Sequence, residues 1–196
     1  MSDKFKGKYR SESARLQNWH YGNDAAYFIT ICTKDREHYF GEIKNKKIKV
    51  LPAGAIAYTL WYEIKNHAKN IELGEFVVMP NHVHGILILN GNDRGNVGGW
   101  DVGGWDVDGR DVACNVPTES VNKNEKMSAI SPKSNTISSI IRSYKSAVTK
   151  YCNRLDLHFA WQSRFHDHII RNDESFQRIS EYIKNNPANW QEDQFR

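Results

Sequence analysis

Cysteine is scarce in this 196-residue chain: Cys32, Cys114 and Cys152 are odd in number, far apart and form no CxxC pair. That excludes a disulfide framework and a cysteine-based zinc site, and it makes a reducing, intracellular setting the default. Long apolar runs are missing too. Residues Met1 to Arg10 are polar and basic, so no secretory leader is expected. No segment approaches the roughly 18 consecutive apolar residues of a membrane span. The expectation is a soluble, cytoplasmic protein with no membrane partner. Charge of one sign is in slight excess: the formal net charge of +4 is compatible with a phosphate-rich partner without demanding one. Aromatics are plentiful, with 6 Trp, 9 Tyr and 8 Phe, enough for a core and for surfaces on which bases stack. The length suits one domain over residues 1–196.

Periodicity divides the chain into elements. Ala26–Thr33 (AYFITICT) is β-branched and aromatic and reads as a strand; Tyr39–Ile43 and Lys47–Leu51 read as a hairpin. After Pro52 the apolar residues Ile56, Leu60 and Ile64 recur at four-residue steps, which predicts a helix. Phe76–Met79 and Val83–Leu89 read as two strands about the turn-like Pro80-Asn81. Residues 91–135 carry a glycine-rich repeat, VGGWD at 97–101 and again at 102–106, with a decayed copy VDGRD at 107–111. Such a composition buries too little apolar surface to order itself, so a low-complexity, flexible insertion is expected there. A helix follows over Thr136–Leu155, with Ile137, Ile140, Ile141, Tyr144, Val148, Tyr151, Cys152 and Leu155 on one stripe. An extended stretch, Phe165–Arg171, precedes a last helix from an Asp173 N-cap to about Asn185 before Pro187. Without the hairpin and the last helix the order is βαββαβ. The fold class is therefore α+β: a ferredoxin-like (RRM-like) antiparallel sheet, helices on one face, plus a C-terminal helix.

His82-Val83-His84 opens a strand. Alternate strand residues share a face, so the two imidazoles point together while the apolar Val83 points into the opposite face. Such a pair can chelate one divalent cation, Mn2+ by imidazole preference or Mg2+ where phosphate oxygens complete the shell. The second HxH, His166-Asp167-His168, has a charged middle residue, which fits a strand buried on its other face poorly.

Metal-assisted phosphodiester chemistry still needs a nucleophile, and tyrosine can serve. Tyr144 and Tyr151 fall within the apolar stripe of their helix, where packing explains them. Tyr182 sits at the edge of the Phe176, Ile179, Ile183 set, with Arg178 and Asn186 four residues to either side on its helix face. That places a phosphate-binding cation and an amide oxygen beside a phenol. Pro187 biases Asn186 out of helical geometry, which leaves Asn185 as the alternative ligand.

The segments YFITICT at 27–33, MPNHVHGILIL at 79–89, WQSRFHDHIIR at 161–171 and EYIKNNPANW at 181–190 together resemble the HUH single-tyrosine transposases, in particular the REP-associated tyrosine transposase branch. The resemblance implies a metal-dependent single-strand DNA endonuclease and strand transferase, with His82 and His84 as metal ligands, Asn186 as the third and Tyr182 as the nucleophile that keeps the 5′ end. It implies Mg2+ or Mn2+ as cofactor and single-stranded DNA with hairpins as partner, and it admits a homodimer. Arg142, Lys145, Arg164, His168, Arg171 and Arg178 are the expected DNA contacts. Two rival readings are a non-catalytic ferredoxin-like nucleic-acid-binding module and a nuclease of the replication-initiator or relaxase type. The first leaves the four site residues unexplained as a set. The second usually carries a third histidine, a tyrosine ahead of the HUH, or paired tyrosines.

Overall fold

The computed structural model describes residues 23–68, 70–90 and 136–193; the repeat-bearing insertion at 91–135 lies outside the described residues. The strands are β1 (Ala25–Cys32), β2 (Gly41–Lys44), β3 (Lys47–Val50), β4 (Ile71–Val78), β5 (His82–Leu89) and β6 (His166–Ile170). The helices are α1 (Pro52–His67), α2 (Ile137–Arg154) and α3 (Asp173–Asn185). β4, β5, β1 and β6 form, in that order, one antiparallel sheet, and β2–β3 is a separate ribbon. With the ribbon and α3 set aside, this is the ferredoxin-like arrangement read from the sequence.

Strand alternation sorts the side chains onto two faces. Tyr27, Ile29 and Ile31 of β1 and Val83, Leu87 and Leu89 of β5 point into a core with Ala57, Trp61 and Ile64 of α1 and Ile137, Ile140, Ile141, Tyr144 and Val148 of α2. Gly85 belongs to this face: a Cβ there would come within 2.3 Å of the Trp61 ring, so the glycine is what lets the indole lie against the sheet. The other face is built from Phe28, Thr30, His82, His84, Ile86 and Ile88, and here the helix cover is partial. Among the described α-helices α3 packs on it, through Phe176, Ile179 and Ile183 against Ile86, Ile170 and their neighbours. It lies over β4 and β5. The face opposite α1 and α2 is thus half roofed by the helix that carries Tyr182.

Several boundaries move from their sequence positions. β4 starts at Ile71 rather than Phe76, because the polar Glu72 and Glu75 are tolerated on an edge strand. The cap of α3 is Asn172, whose side chain accepts from the Ser175 amide at 2.9 Å; Asp173 is the first helical residue and serves the helix dipole instead. Thr136 and Ser139 cap each other at the start of α2. On that helix Tyr151 and Leu155 are exposed, 38% and 61%, and leave the apolar stripe before its end. β6 forms where it was expected and is an edge strand; this is why its charged middle residue, Asp167, is accommodated.

Candidate active site

His82 and His84 enter the site from the first turn-proximal residues of β5, an interior strand hydrogen-bonded on both sides. The preceding turn is pinned from two directions: Phe40 N–H donates to Pro80 O at 3.0 Å and Thr33 N–H to Asn81 O at 2.9 Å. Both imidazoles are fully buried and their ring centres lie 4.4 Å apart. Each is oriented through Nδ1. His82 Nδ1 lies 2.7 Å from Asn81 Oδ1, and His84 Nδ1 lies 2.8 Å from Thr30 Oγ1. A carbonyl oxygen can only accept, so His82 carries its proton on Nδ1 and presents the Nε2 lone pair. Second-neighbour bonds of this kind are what fix metal-binding histidines in one tautomer and orientation.

Both Nε2 atoms face one carboxylate. Asp193 Oδ2 is 3.7 Å from His82 Nε2 and 4.0 Å from His84 Nε2. The three candidate donor atoms lie within 4.8 Å of one another. Asn186, buried at the C-terminal end of α3, donates from Nδ2 to the same Asp193 oxygen at 2.7 Å, while its buried Oδ1 has no hydrogen-bond partner among the described residues. An amide oxygen costs free energy when desolvated and unpaired, and a cation would satisfy it. Two imidazole nitrogens, a carboxylate and an amide oxygen are a donor set that fits a divalent first-row metal or magnesium.

The Tyr182 hydroxyl completes the cluster, 3.3 Å from His84 Nε2 and 3.4 Å from Asp193 Oδ2. Its ring meets Phe28 edge-on at 6.1 Å and stays 39% exposed, so the phenol is held on one side and reachable from the other. Burial and the Asp193 charge push its pKa up to about 12. Burial, with the Arg36 charge adding to it, lowers His82 to about 3, and burial with the adjacent His82 holds His84 well below the usual histidine range. The pair is neutral, the form that ligates metal.

Those shifts carry a stability signature. The folded protein resists protonating both imidazoles, whereas the unfolded chain takes up protons below about pH 6.5. Stability contributed by this difference is full above that pH and falls as the pH drops towards the folded values. The slope is about 1.4 kcal/mol per pH unit for each histidine. In EDTA, the melting temperature should fall from pH 7 to pH 5, and His82→Gln should flatten the fall. Equal slopes for the two proteins would contradict the buried, neutral pair.

The structure brings His82, His84, Asn186 and Tyr182 together, as the sequence reading paired them. Asn186 is helical (φ −55°, ψ −44°) despite the following proline, which puts it one turn beyond Tyr182; Asn185 is exposed. Tyr144 is in the core with its hydroxyl donating to Ala57 O, and both it and Tyr151 stand on α2, across the sheet from the histidines. Among the expected DNA contacts, Arg178 is exposed on α3 one turn before Tyr182. His168 is exposed on the histidine face, paired with Phe28. Arg164 and Arg171 are exposed at either end of β6. Arg142 is exposed on α2, whose packing face is on the far side of the sheet, and is not brought to the site. Lys145 has its ammonium tied to the Gln162 and Ser163 carbonyls. Asp193, Asn81, Thr30 and Trp190, which stacks on His82 at 6.0 Å, were not singled out.

No protein-family model matches the chain. An uncharacterized protein of Haemophilus influenzae strain Rd is 32% identical over 191 residues, 96% of this chain and 94% of that protein. A solved REP-associated tyrosine transposase, bound in its structure to a REP hairpin, superimposes with a TM-score of 0.53 at 20% identity, over 92% of this chain and 74% of that one. The chain belongs to one family with the Haemophilus influenzae protein, and its fold is that of the REP-associated tyrosine transposase.

Proposed function

We propose that the protein is a metal-dependent single-strand DNA endonuclease and strand transferase, a transposase acting on DNA that carries hairpins. The observation that carries this reading is the meeting of a buried neutral histidine pair, a carboxylate and a half-exposed phenol at one point. A sheet-packing role explains none of these together, since a tyrosine and an aspartate beside two buried histidines gain little from burial. The hairpin seen on the structurally similar transposase supports the substrate class.

His82, His84 and Asp193, with the Asn186 oxygen, would hold Mg2+ or Mn2+. Bound there, the cation would polarise the scissile phosphate and favour the phenolate. Tyr182 Oη attacks phosphorus; the new O–P bond replaces the P–O3′ bond, and the 3′-oxygen departs and is protonated. Tyr182 retains the 5′ end, and a second 3′-hydroxyl can reverse the step and regenerate the phenol. Asp193, beside the phenol and hydrogen-bonded to Asn186, orients the hydroxyl and offers the nearest carboxylate for its proton. Tyr182 reaches His84 of its own chain, which supports a site complete within one subunit.

Incubation of labelled single-stranded hairpin DNA with the protein and Mg2+ or Mn2+ should give a denaturation-resistant protein–DNA adduct, and EDTA should prevent it. Binding of such hairpins with no adduct under any divalent metal would replace this reading with that of a nucleic-acid-binding module.

A further inference from the structure

Against the Pro80-Asn81 turn that leads into the histidine strand lies a cleft that the reaction above does not use. The Thr33–Arg36 turn forms one wall and Trp161, Gln162 and Ser163 the other of an open cleft of about 730 Å³. That is within the roughly 300–1,000 Å³ of small-ligand clefts. The walls are tied together: Lys34 N–H donates to Ala160 O and Gln162 N–H to Cys32 O, each at 2.9 Å, and Thr33 bridges to Trp161. Asp35 and Arg36 are consecutive non-glycine residues in the left-handed region, φ 51° and 57°, a conformation that tertiary contacts must hold.

The cleft is joined to the metal ligands by named bonds. Thr33 donates from both its amide and its hydroxyl to Asn81 O, and the Asn81 side chain holds His82 Nδ1. Cys32, one residue before the turn, is the cross-strand partner of His82.

The chemistry of the lining names an occupant. Lys34 and Arg36 outnumber the single carboxylate, Asp35, and suit one phosphate. Trp161 supplies an aromatic edge and Gln162 an exposed amide, groups that read unstacked bases through π-contact and paired hydrogen bonds. An acidic peptide would use the cations but leave the aromatic and amide without purpose. Resting on the proposed DNA cleavage, we infer that this cleft is a nucleotide subsite: it takes the residue of the single strand adjoining the scissile bond, with its phosphate on Lys34 and Arg36 and its base against Trp161 and Gln162. The subsite would set which base may stand beside the cut.

The test uses the full-length protein and a hairpin-bearing oligonucleotide in which each phosphate near the cut is replaced, one at a time, by a neutral methylphosphonate. Wild type should lose about tenfold in affinity at one linkage beside the cut, as for loss of a charge-assisted contact. The Lys34→Ala/Arg36→Ala variant should show that loss on natural DNA and no further loss at that linkage. Gln162→Ala, an exposed change that spares the Trp161 packing, should alter base preference at that single position in both binding and cleavage. Independent, multiplying losses would overturn the subsite, as would variants that bind and cut like wild type with unchanged base preference. Failure of wild type to form any adduct would count against the cleavage reading, while the binding scan would still report on the cleft. Failure to bind single-stranded DNA at all would remove both.

Discussion

Tyr182→Phe is expected to abolish the covalent adduct while leaving metal and DNA binding in place. Removing a nucleophile costs on the order of four or more powers of ten in rate when no other group can replace it. Neither Tyr144 nor Tyr151 is placed to do so, since Tyr144 is buried against α1 and both ride on the helix across the sheet. Phenylalanine keeps the ring, so the edge-on contact with Phe28 survives and only the hydroxyl, 3.3 Å from His84 Nε2, is lost. The measurements are the adduct on denaturing gels and, in parallel, the dissociation constant for hairpin DNA. An adduct that persists would remove Tyr182 from its role. A variant that no longer binds DNA would mean that the hydroxyl acts in recognition.

A second large effect is expected at the histidines. His84→Ala should weaken Mn2+ binding by more than about a hundredfold, because it removes a proposed ligand; Thr30→Val, which removes only the partner of Nδ1, should cost about 10–100-fold. The same titration separates Asp193 from Asn186. If both ligate, Asp193→Asn and Asn186→Ala each lower affinity, and the aspartate matters more because it brings the charge. Asp193→Asn with unchanged Mn2+ affinity would place that carboxylate outside the coordination shell, leaving it to orient Asn186 and Tyr182. Calorimetry on the metal-free protein reads binding without relying on cleavage.

The sequence was most legible where local periodicity and packing agree. The alternation of His82-Val83-His84 placed both imidazoles on one face because β5 has a continuous core on the other. The helix phase that set Tyr182 beside Phe176, Ile179 and Ile183 is the phase the structure adopts. What could not be read depends on pairing between distant segments. Thr30 meets His84 only through the antiparallel register of β1 and β5, fifty-four residues apart in the chain. Asp193 arrives through a short 3₁₀ turn at Trp190–Glu192, a segment without periodicity. Asn81 was read only as a turn residue, although its position directly before a buried histidine made it the natural partner for Nδ1. Pro187 misled in the other direction, since its bias against a helical Asn186 is outweighed by the burial of that residue at the site.

The unequal distribution of core between the two faces has a further consequence. The histidines ride on a strand laced to neighbours on both sides, while the phenol and carboxylate come from a helix and tail seated on a much smaller apolar cluster around Ile86, Ile170 and Ile183. Amides of α3 and the tail are therefore expected to exchange faster than those of β5 in a hydrogen-exchange experiment. Detachment of α3 and the tail as a unit would part Tyr182, together with Asn186 and Asp193, from His82 and His84 without melting the sheet. In the proposed reaction a strand linked to Tyr182 would ride with that unit while the histidine-bearing sheet stays still.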